Sequence, residues 1–118
     1  MNTQVYDLSK AKDNLSKSEP TVLKFREDAI SNAINAINRN LEETTTAGVN
    51  HVLFSFANLQ SIVLDPLSKE TNKSRRIAFD LLNQFGDDLM RTLMARYSEA
   101  GYKTQLKDGV IRIEVLSA

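Results

Sequence analysis

The sequence predicts an α+β domain, a two-layer sandwich in which two long helices pack on a small sheet of about three strands ending in a C-terminal β-hairpin. Three observations lead to this class. Apolar residues recur at helical spacing in two long segments, "NHVLFSFAN" at 50–58 alternates as a strand does, and "GYKTQLKDGVIRIEV" at 101–115 has the pattern of a hairpin. At 118 residues the chain is most simply one domain that needs neither a metal nor a disulfide for stability.

Composition excludes several classes of function. The 15 basic and 15 acidic residues cancel, which argues against a long-range field that would steer nucleic acid or an anionic membrane to the protein. The absence of cysteine excludes disulfides, thiolate catalysis and cysteine metal sites. The first twenty residues lack the pattern of a signal peptide, and no run approaches the roughly 20 apolar residues of a membrane span. We therefore expect a soluble protein without membrane contact.

Residues 1–19 are polar with balanced charges, and they predict a flexible N-terminal arm ahead of a single α+β domain at 20–118. Two interpretations remain open for this arm. It is either a mobile segment or a segment that becomes ordered on a partner, with Val5, Tyr6 and Leu8 as the anchor.

The first long helix is predicted to start at Ser18-Glu19-Pro20, which offers a capping side chain followed by an acid and a proline in the first turn. It should end within "EETTTAG", where threonines lower helix propensity and Gly48 suits a left-handed cap. Its predicted buried face lies on one side of a helix of period 3.6 and comprises Val22, Phe25, Ala29 or Ile30, Ala33 or Ile34, Ile37 and Leu41.

The middle of the chain is predicted to contain one strand, one irregular crossover and one helix. The strand covers about 51–57, and residues 57–73 form a short turn of helix or a crossover that Asp65-Pro66 interrupts. A second long helix then runs from about Asn72 to Ala100. Gly86 in its middle costs around 1 kcal/mol relative to alanine, so we expect close packing against another element at that glycine.

The hairpin register follows from Asp108-Gly109, a preferred two-residue turn with positive φ at both positions. Residues 102–107 then face residues 115–110, which separates apolar from polar side chains. The predicted buried face is Tyr102, Thr104, Leu106, Ile111, Ile113 and Val115. The predicted polar face is Lys103, Gln105, Lys107, Arg112 and Glu114, with Lys103 opposite Glu114.

This order of elements resembles a small module found among uncharacterised proteins of tailed phages. The matching stretches are "EDAISNAINAI" at 27–37, "HVLFSF" at 51–56 and "LMARYSEAGYKTQLKDGVIRIEV" at 93–115, so the resemblance covers roughly the last 95 residues. The longer arm and the inserted "SIVLDPLSKETNKS" depart from it. The resemblance implies a phage origin and a non-enzymatic role, as a virion component or as an accessory protein in the host cytoplasm. It supplies no catalytic residues.

No motif in the sequence predicts catalysis, and we expect a protein that is not an enzyme and holds no cofactor or metal. The one histidine, His51, lacks a second histidine at metal-ligand spacing, and we interpret it as structural. Asp87 and Asp88 point in different directions on a helix, so a solvated helix face is preferred to a carboxylate pair. The four glycines are scattered, and no phosphate-binding loop is present.

Two surfaces are candidate contacts for partners. The cluster of Lys69, Lys73, Arg75 and Arg76 is a candidate basic patch, although a solvated surface is preferred because the net charge is zero and no exposed aromatic residue is evident nearby. The sheet face formed by Lys103, Gln105, Lys107 and Arg112 is the second. Nucleic-acid binding is therefore a minor hypothesis.

Self-association is the favoured assembly. A hairpin edge or the strand at 51–57 could pair with a second chain, and Phe79, Met90 and Met94 could instead meet a partner helix. A symmetric homo-oligomer is the expected form.

Three functions follow as hypotheses. The first is a small phage virion component that binds itself and larger structural proteins. The second is an intracellular phage protein that blocks a host protein, and the third is a nucleic-acid-binding accessory protein.

Overall fold

The computed structural model describes residues 4–116, which form four helices and a three-stranded antiparallel sheet. In chain order the elements are α1 (Leu8–Thr46), β1 (His51–Ser55), α2 (Phe56–Thr71), α3 (Arg75–Gln84), α4 (Gly86–Glu99), β2 (Lys103–Lys107) and β3 (Val110–Glu114). The α+β class and the number of strands are confirmed. The predicted number of helices, two, is wrong.

The sheet has the order β1-β3-β2, so the last strand of the chain is the central one. The predicted hairpin register is confirmed, with Leu106 opposite Ile111 and Lys103 opposite Glu114. Asp108 and Gly109 both have positive φ, at 53° and 74°, as a primed two-residue turn requires. On its other side β3 pairs with β1, which places Phe54 beside Ile111.

Side chains from all four helices and from one face of the sheet form a single apolar core. The sheet contributes its alternate residues, because successive side chains of a strand point to opposite faces. The fully or nearly buried members from the strands are Val52, Phe54, Ile111 and Ile113. Leu106 and Val115, predicted to be buried, remain 42% and 37% exposed. Leu106 lies on the edge strand β2, which explains its partial exposure.

Helix α1 begins eleven residues before the predicted start, with its cap at Asp7 rather than Ser18. Asp7 is its N-cap and accepts a hydrogen bond from the backbone N–H of Ser9 at 3.1 Å. Pro20, predicted in the first turn, lies inside the helix. The carbonyl that Pro20 leaves without its helical donor belongs to Ser16, an exposed residue, so water can satisfy it. The boundary predicted at residue 19 therefore falls within a helix.

The first part of α1 extends beyond the folded body. None of the residues from 4 to 24 is buried, and the first buried residue of the helix is Phe25. The molecule measures 68 × 25 × 22 Å, and its radius of gyration of 17.6 Å exceeds the roughly 13 Å of a compact domain of about 100 residues. We call residues 8–24 the projecting segment; it is about 25 Å long.

Helix α2 occupies the region predicted to be an irregular crossover. Ser55 and Asn58 form a capping box at its start, in which the Ser55 hydroxyl accepts from the Asn58 backbone N–H at 3.1 Å. Pro66 does not interrupt the helix, contrary to the prediction. The carbonyl that it frees belongs to Ile62, which is 42% exposed, so this position tolerates the lost hydrogen bond.

The predicted second helix is divided in two at Phe85, whose φ of −119° and ψ of 29° leave the helical region. Close packing explains the glycine that follows. A Cβ atom on Gly86 would lie 3.1 Å from the Phe56 ring, so the expectation of tight packing at this glycine is confirmed. Phe85 turns its ring toward Phe25, in an edge-to-face contact with 5.9 Å between ring centroids.

Candidate protein-contact surfaces

Of the predicted anchor residues, Leu8 begins the projecting segment, and Val5 and Tyr6 directly precede it. Val5 is 93% exposed, Tyr6 67% and Leu8 66%. The Tyr6 hydroxyl accepts a hydrogen bond from the Asn14 side-chain amide at 3.1 Å, so this ring lies back along the helix. Val5 and Leu8 present apolar side chains to solvent.

An apolar seam runs along the projecting segment, and sequence reasoning missed it. Leu8, Leu15 and Val22 follow one another at intervals of seven residues, which places them on one side of a helix. Ala11 and Ser18 lie between them at spacings of three and four. We call these five residues the seam. Leu15 is 68% exposed. A single exposed leucine is common on protein surfaces, but exposed apolar residues grouped on one side of a helix indicate a contact surface.

The seam ends in a groove where the projecting segment meets the body. The groove has a volume of about 460 Å³ and is lined by Leu15, Ser18, Glu19, Val22, Leu23 and Gln84. Gln84 is the last residue of α3, so the groove lies between the projecting segment and the end of that helix.

An ion pair fixes α1 to the body just past this groove. The Arg26 guanidinium donates to the Asp88 carboxylate and, at 3.2 Å, to the Thr92 hydroxyl, both on α4. The hydrogen bond from Arg26 lowers the pKa of Asp88 below its ordinary value. Because both side chains are partly exposed, solvent screening limits the stabilisation to less than about 1 kcal/mol.

The structure brings the four predicted sheet-face residues together. Lys103, Gln105 and Lys107 lie on β2, and Arg112 lies beside Gln105 on β3. Gln105, Lys107 and Arg112 line a shallow depression of about 350 Å³ that also includes Leu53, which is 54% exposed; Lys103 is not part of its lining. Arg112 forms an ion pair with Glu114 at 3.6 Å, so Glu114 pairs along its own strand as well as facing Lys103.

The predicted basic patch spans the end of α2 and the start of α3. Lys69 lies in the last turn of α2, Lys73 in the connection, and Arg75 and Arg76 in the first turn of α3. Arg75 forms an ion pair with Asp65. This pairing reduces the positive potential of the patch.

Phe79, Met90 and Met94, predicted as surplus apolar residues, occupy different environments. Met90 is 4% exposed and belongs to the core, so its prediction as a partner contact is wrong. Met94 packs against the core and is partly buried. Phe79 remains 43% exposed, and Ile77 on the same helix is 48% exposed.

The residues screened for chemistry have structural partners. His51 is half-buried and its Nδ1 lies 3.1 Å from the Asn50 side-chain oxygen. Asp87 and Asp88 occupy the first turn of α4, where negative charge is favourable because of the helix dipole. Within residues 4–116, no three His, Cys, Asp or Glu side chains cluster in a way that could hold a metal ion.

A surface cleft of about 560 Å³ lies beside the α3–α4 break and the hairpin turn. Its lining includes Phe56, Gly86, Asp87, Asp88 and Arg91. No hydroxyl, thiol or imidazole group is among the described residues that line it.

Tyr97 is the titratable side chain with the largest pKa change among residues 4–116. Its hydroxyl donates to the Asn38 side-chain oxygen at 2.6 Å, and the residue is only 6% exposed. Burial, with a smaller effect of nearby Tyr102, raises its pKa from 10.0 to about 12.

We therefore expect alkaline pH to destabilise the fold through Tyr97. Above pH 10.0 the unfolded state loses a proton that the folded state keeps until about pH 12, so the free energy of unfolding falls over this interval. The loss should reach at most about 3 kcal/mol. Urea unfolding from about pH 9 to about pH 12 measures it. Tyr97→Phe should flatten that slope, and an unchanged slope would contradict the assignment.

None of the helices within residues 4–116 combines the length and the hydropathy needed to cross a bilayer. Comparison of the chain with protein-family models, curated proteins and solved structures finds no match.

Proposed function

We propose that the chain is a non-catalytic interaction protein whose projecting segment docks on protein partners. The observation that carries this proposal is a helical segment that contributes no buried residue to its own fold yet presents Leu8 and Leu15, 66% and 68% exposed, on one side. Apolar side chains grouped on an exposed surface are typical of protein contacts. A segment that served only as a spacer would not need them.

The partners that we propose are other copies of this chain and larger structural proteins of a phage virion. The support for a virion role is the resemblance of residues 27–37, 51–56 and 93–115 to the tailed-phage module. In this proposal the body is a two-layer sandwich that acts as a rigid base, and the projecting segment makes the contact. The basic patch supports a nucleic-acid function less well, because Arg75 is paired with Asp65.

Deleting residues 2–17 tests the proposed role of the segment. Because none of the described residues of this stretch, 4–17, is buried, the free energy of unfolding of the body should change by less than about 0.5 kcal/mol. Incorporation into phage particles, followed by mass spectrometry of purified virions, should be lost.

The matched control is Glu42→Ala, at an exposed residue near the C-terminal end of α1, which should be incorporated like the unmodified chain. Two results would contradict the proposal: unfolding of the deletion variant, or its normal incorporation. Absence of the unmodified chain from particles would reject the virion role and favour the hypothesis of a host-protein inhibitor.

A further inference from the structure

From the geometry of the seam we infer that the projecting segment pairs with the same segment of a second copy, antiparallel, in a two-fold symmetric dimer. This inference rests on the proposed function and names one of its partners. The seam has the heptad spacing by which two helices pack side by side, with Leu8, Leu15 and Val22 as one set of positions and Ala11 and Ser18 as the other. Two such seams bury each other's apolar side chains.

The sizes of the side chains favour the antiparallel arrangement. Antiparallel helices place the two sets of seam positions opposite each other, so Leu15 meets Ser18 of the second copy and Ala11 meets its Val22. Both of these layers combine a large and a small side chain, and Leu8 lies at the end of the pairing, level with Phe25 of the second copy. A parallel pair would instead place Ala11 against Ala11 and Ser18 against Ser18, which leaves gaps at those layers.

The charges beside the seam are complementary in the same arrangement. Lys12 and Glu19 occupy equivalent flanking positions one heptad apart, and antiparallel pairing places Lys12 of each copy near Glu19 of the other. Among the ion pairs formed by residues 4–116, neither side chain takes part. The neighbouring Asp13 and Lys17 pair with each other at 2.8 Å and leave the flanking positions to the second copy.

The length of the projecting segment fits this pairing. With Leu15 near the two-fold axis, the tip at Leu8 reaches the level of Phe25 in the second copy, where the body begins. The groove lined by Leu15, Ser18, Glu19, Val22, Leu23 and Gln84 lies just before that level, so the middle of the second copy's segment passes beside it. The two bodies then lie at opposite ends of the paired helices.

Sedimentation equilibrium of the full chain tests the dimer. We expect a monomer–dimer equilibrium for the unmodified protein, and Leu15→Asp should raise the dissociation constant at least about 100-fold because it buries a charge in both copies. The matched control is Val49→Asp, an exposed apolar residue between α1 and β1, which should leave the dissociation constant unchanged. Circular dichroism of each variant checks that it is folded.

Charge exchange tests the antiparallel direction. Lys12→Glu alone and Glu19→Lys alone should each weaken the dimer about 10-fold, and the double variant should restore it. Three results would overturn the inference. The full chain could stay monomeric up to millimolar concentration, the Leu15→Asp variant could dimerise as tightly as the unmodified chain, or the double variant could dimerise as weakly as the single variants. If the chain is monomeric but the 2–17 deletion still abolishes particle incorporation, the proposed function stands and this inference fails. If the chain dimerises as described but the deletion variant is incorporated into particles, this inference stands and the proposed function fails.

Discussion

Phe25→Ala is expected to lower the free energy of unfolding by about 3–5 kcal/mol. Phe25 is fully buried and is the first residue of α1 to enter the core. Its removal leaves a cavity at the point where α1 meets the body and eliminates the edge-to-face contact with Phe85. Urea unfolding followed by circular dichroism measures the change, and the slope with urea should stay constant.

Leu23→Ala is the matched control, since Leu23 lies two residues earlier on the same helix and is 62% exposed. Its effect should stay within about 0.5 kcal/mol. Similar losses for the two variants would mean that the body begins before Phe25 and that the projecting segment is part of the core.

Ile113→Ala is expected to cost about 2–5 kcal/mol. Ile113 is fully buried in the central strand, between Val52 on β1 and Thr104 on β2. Its side chain contributes to the layer that joins the sheet to the helices, and both neighbouring strands lose packing when it is shortened. The same urea measurement applies.

Arg112→Ala is the control for the sheet, because the adjacent residue of a strand points to the other face. A change within about 0.5 kcal/mol is expected there. A shift of the hairpin register by one residue would exchange the two faces, so a larger loss at Arg112 than at Ile113 would contradict the register.

The hairpin and the strand β1 were predictable because their local signals agree with one another. Asp108-Gly109 fixes the turn, and alternation of apolar and polar residues fixes the face that is buried. The position of β3 at the centre of the sheet was not predicted. It depends on which edge of the hairpin β1 joins, and short sequence patterns do not contain that information.

The predicted helix boundaries were wrong where a proline was interpreted as the start or the end of a helix. Pro20 and Pro66 both lie inside helices, because the carbonyl that each one frees belongs to an exposed residue and can bond to water. The break at Phe85 was not predicted, because no proline marks it. Apolar periodicity continues across it, and only the contacts of Phe85 and Gly86 with Phe25 and Phe56 divide the helix.

The candidate surface was predicted in part. Leu8 and its neighbours were identified as anchors, whereas Leu15 was not linked to them because residues 1–19 were interpreted as a flexible arm. Val22 was assigned to the buried face of the first helix, but it is only partly buried. The interval of seven from Leu8 to Leu15 to Val22 was the available signal. It becomes visible only when the helix is allowed to continue through Pro20.

Distance measurement between spin labels tests most directly whether two projecting segments pair antiparallel. The chain has no cysteine, so Lys10→Cys and Lys17→Cys each provide a single labelling site. In the antiparallel dimer the two Lys17 sites lie almost level, while the two Lys10 sites are displaced by about 20 Å along the helices. Double electron–electron resonance should therefore give a clearly longer distance for Lys10→Cys than for Lys17→Cys. Equal distances at the two sites, or no distance between copies at either, would contradict the pairing.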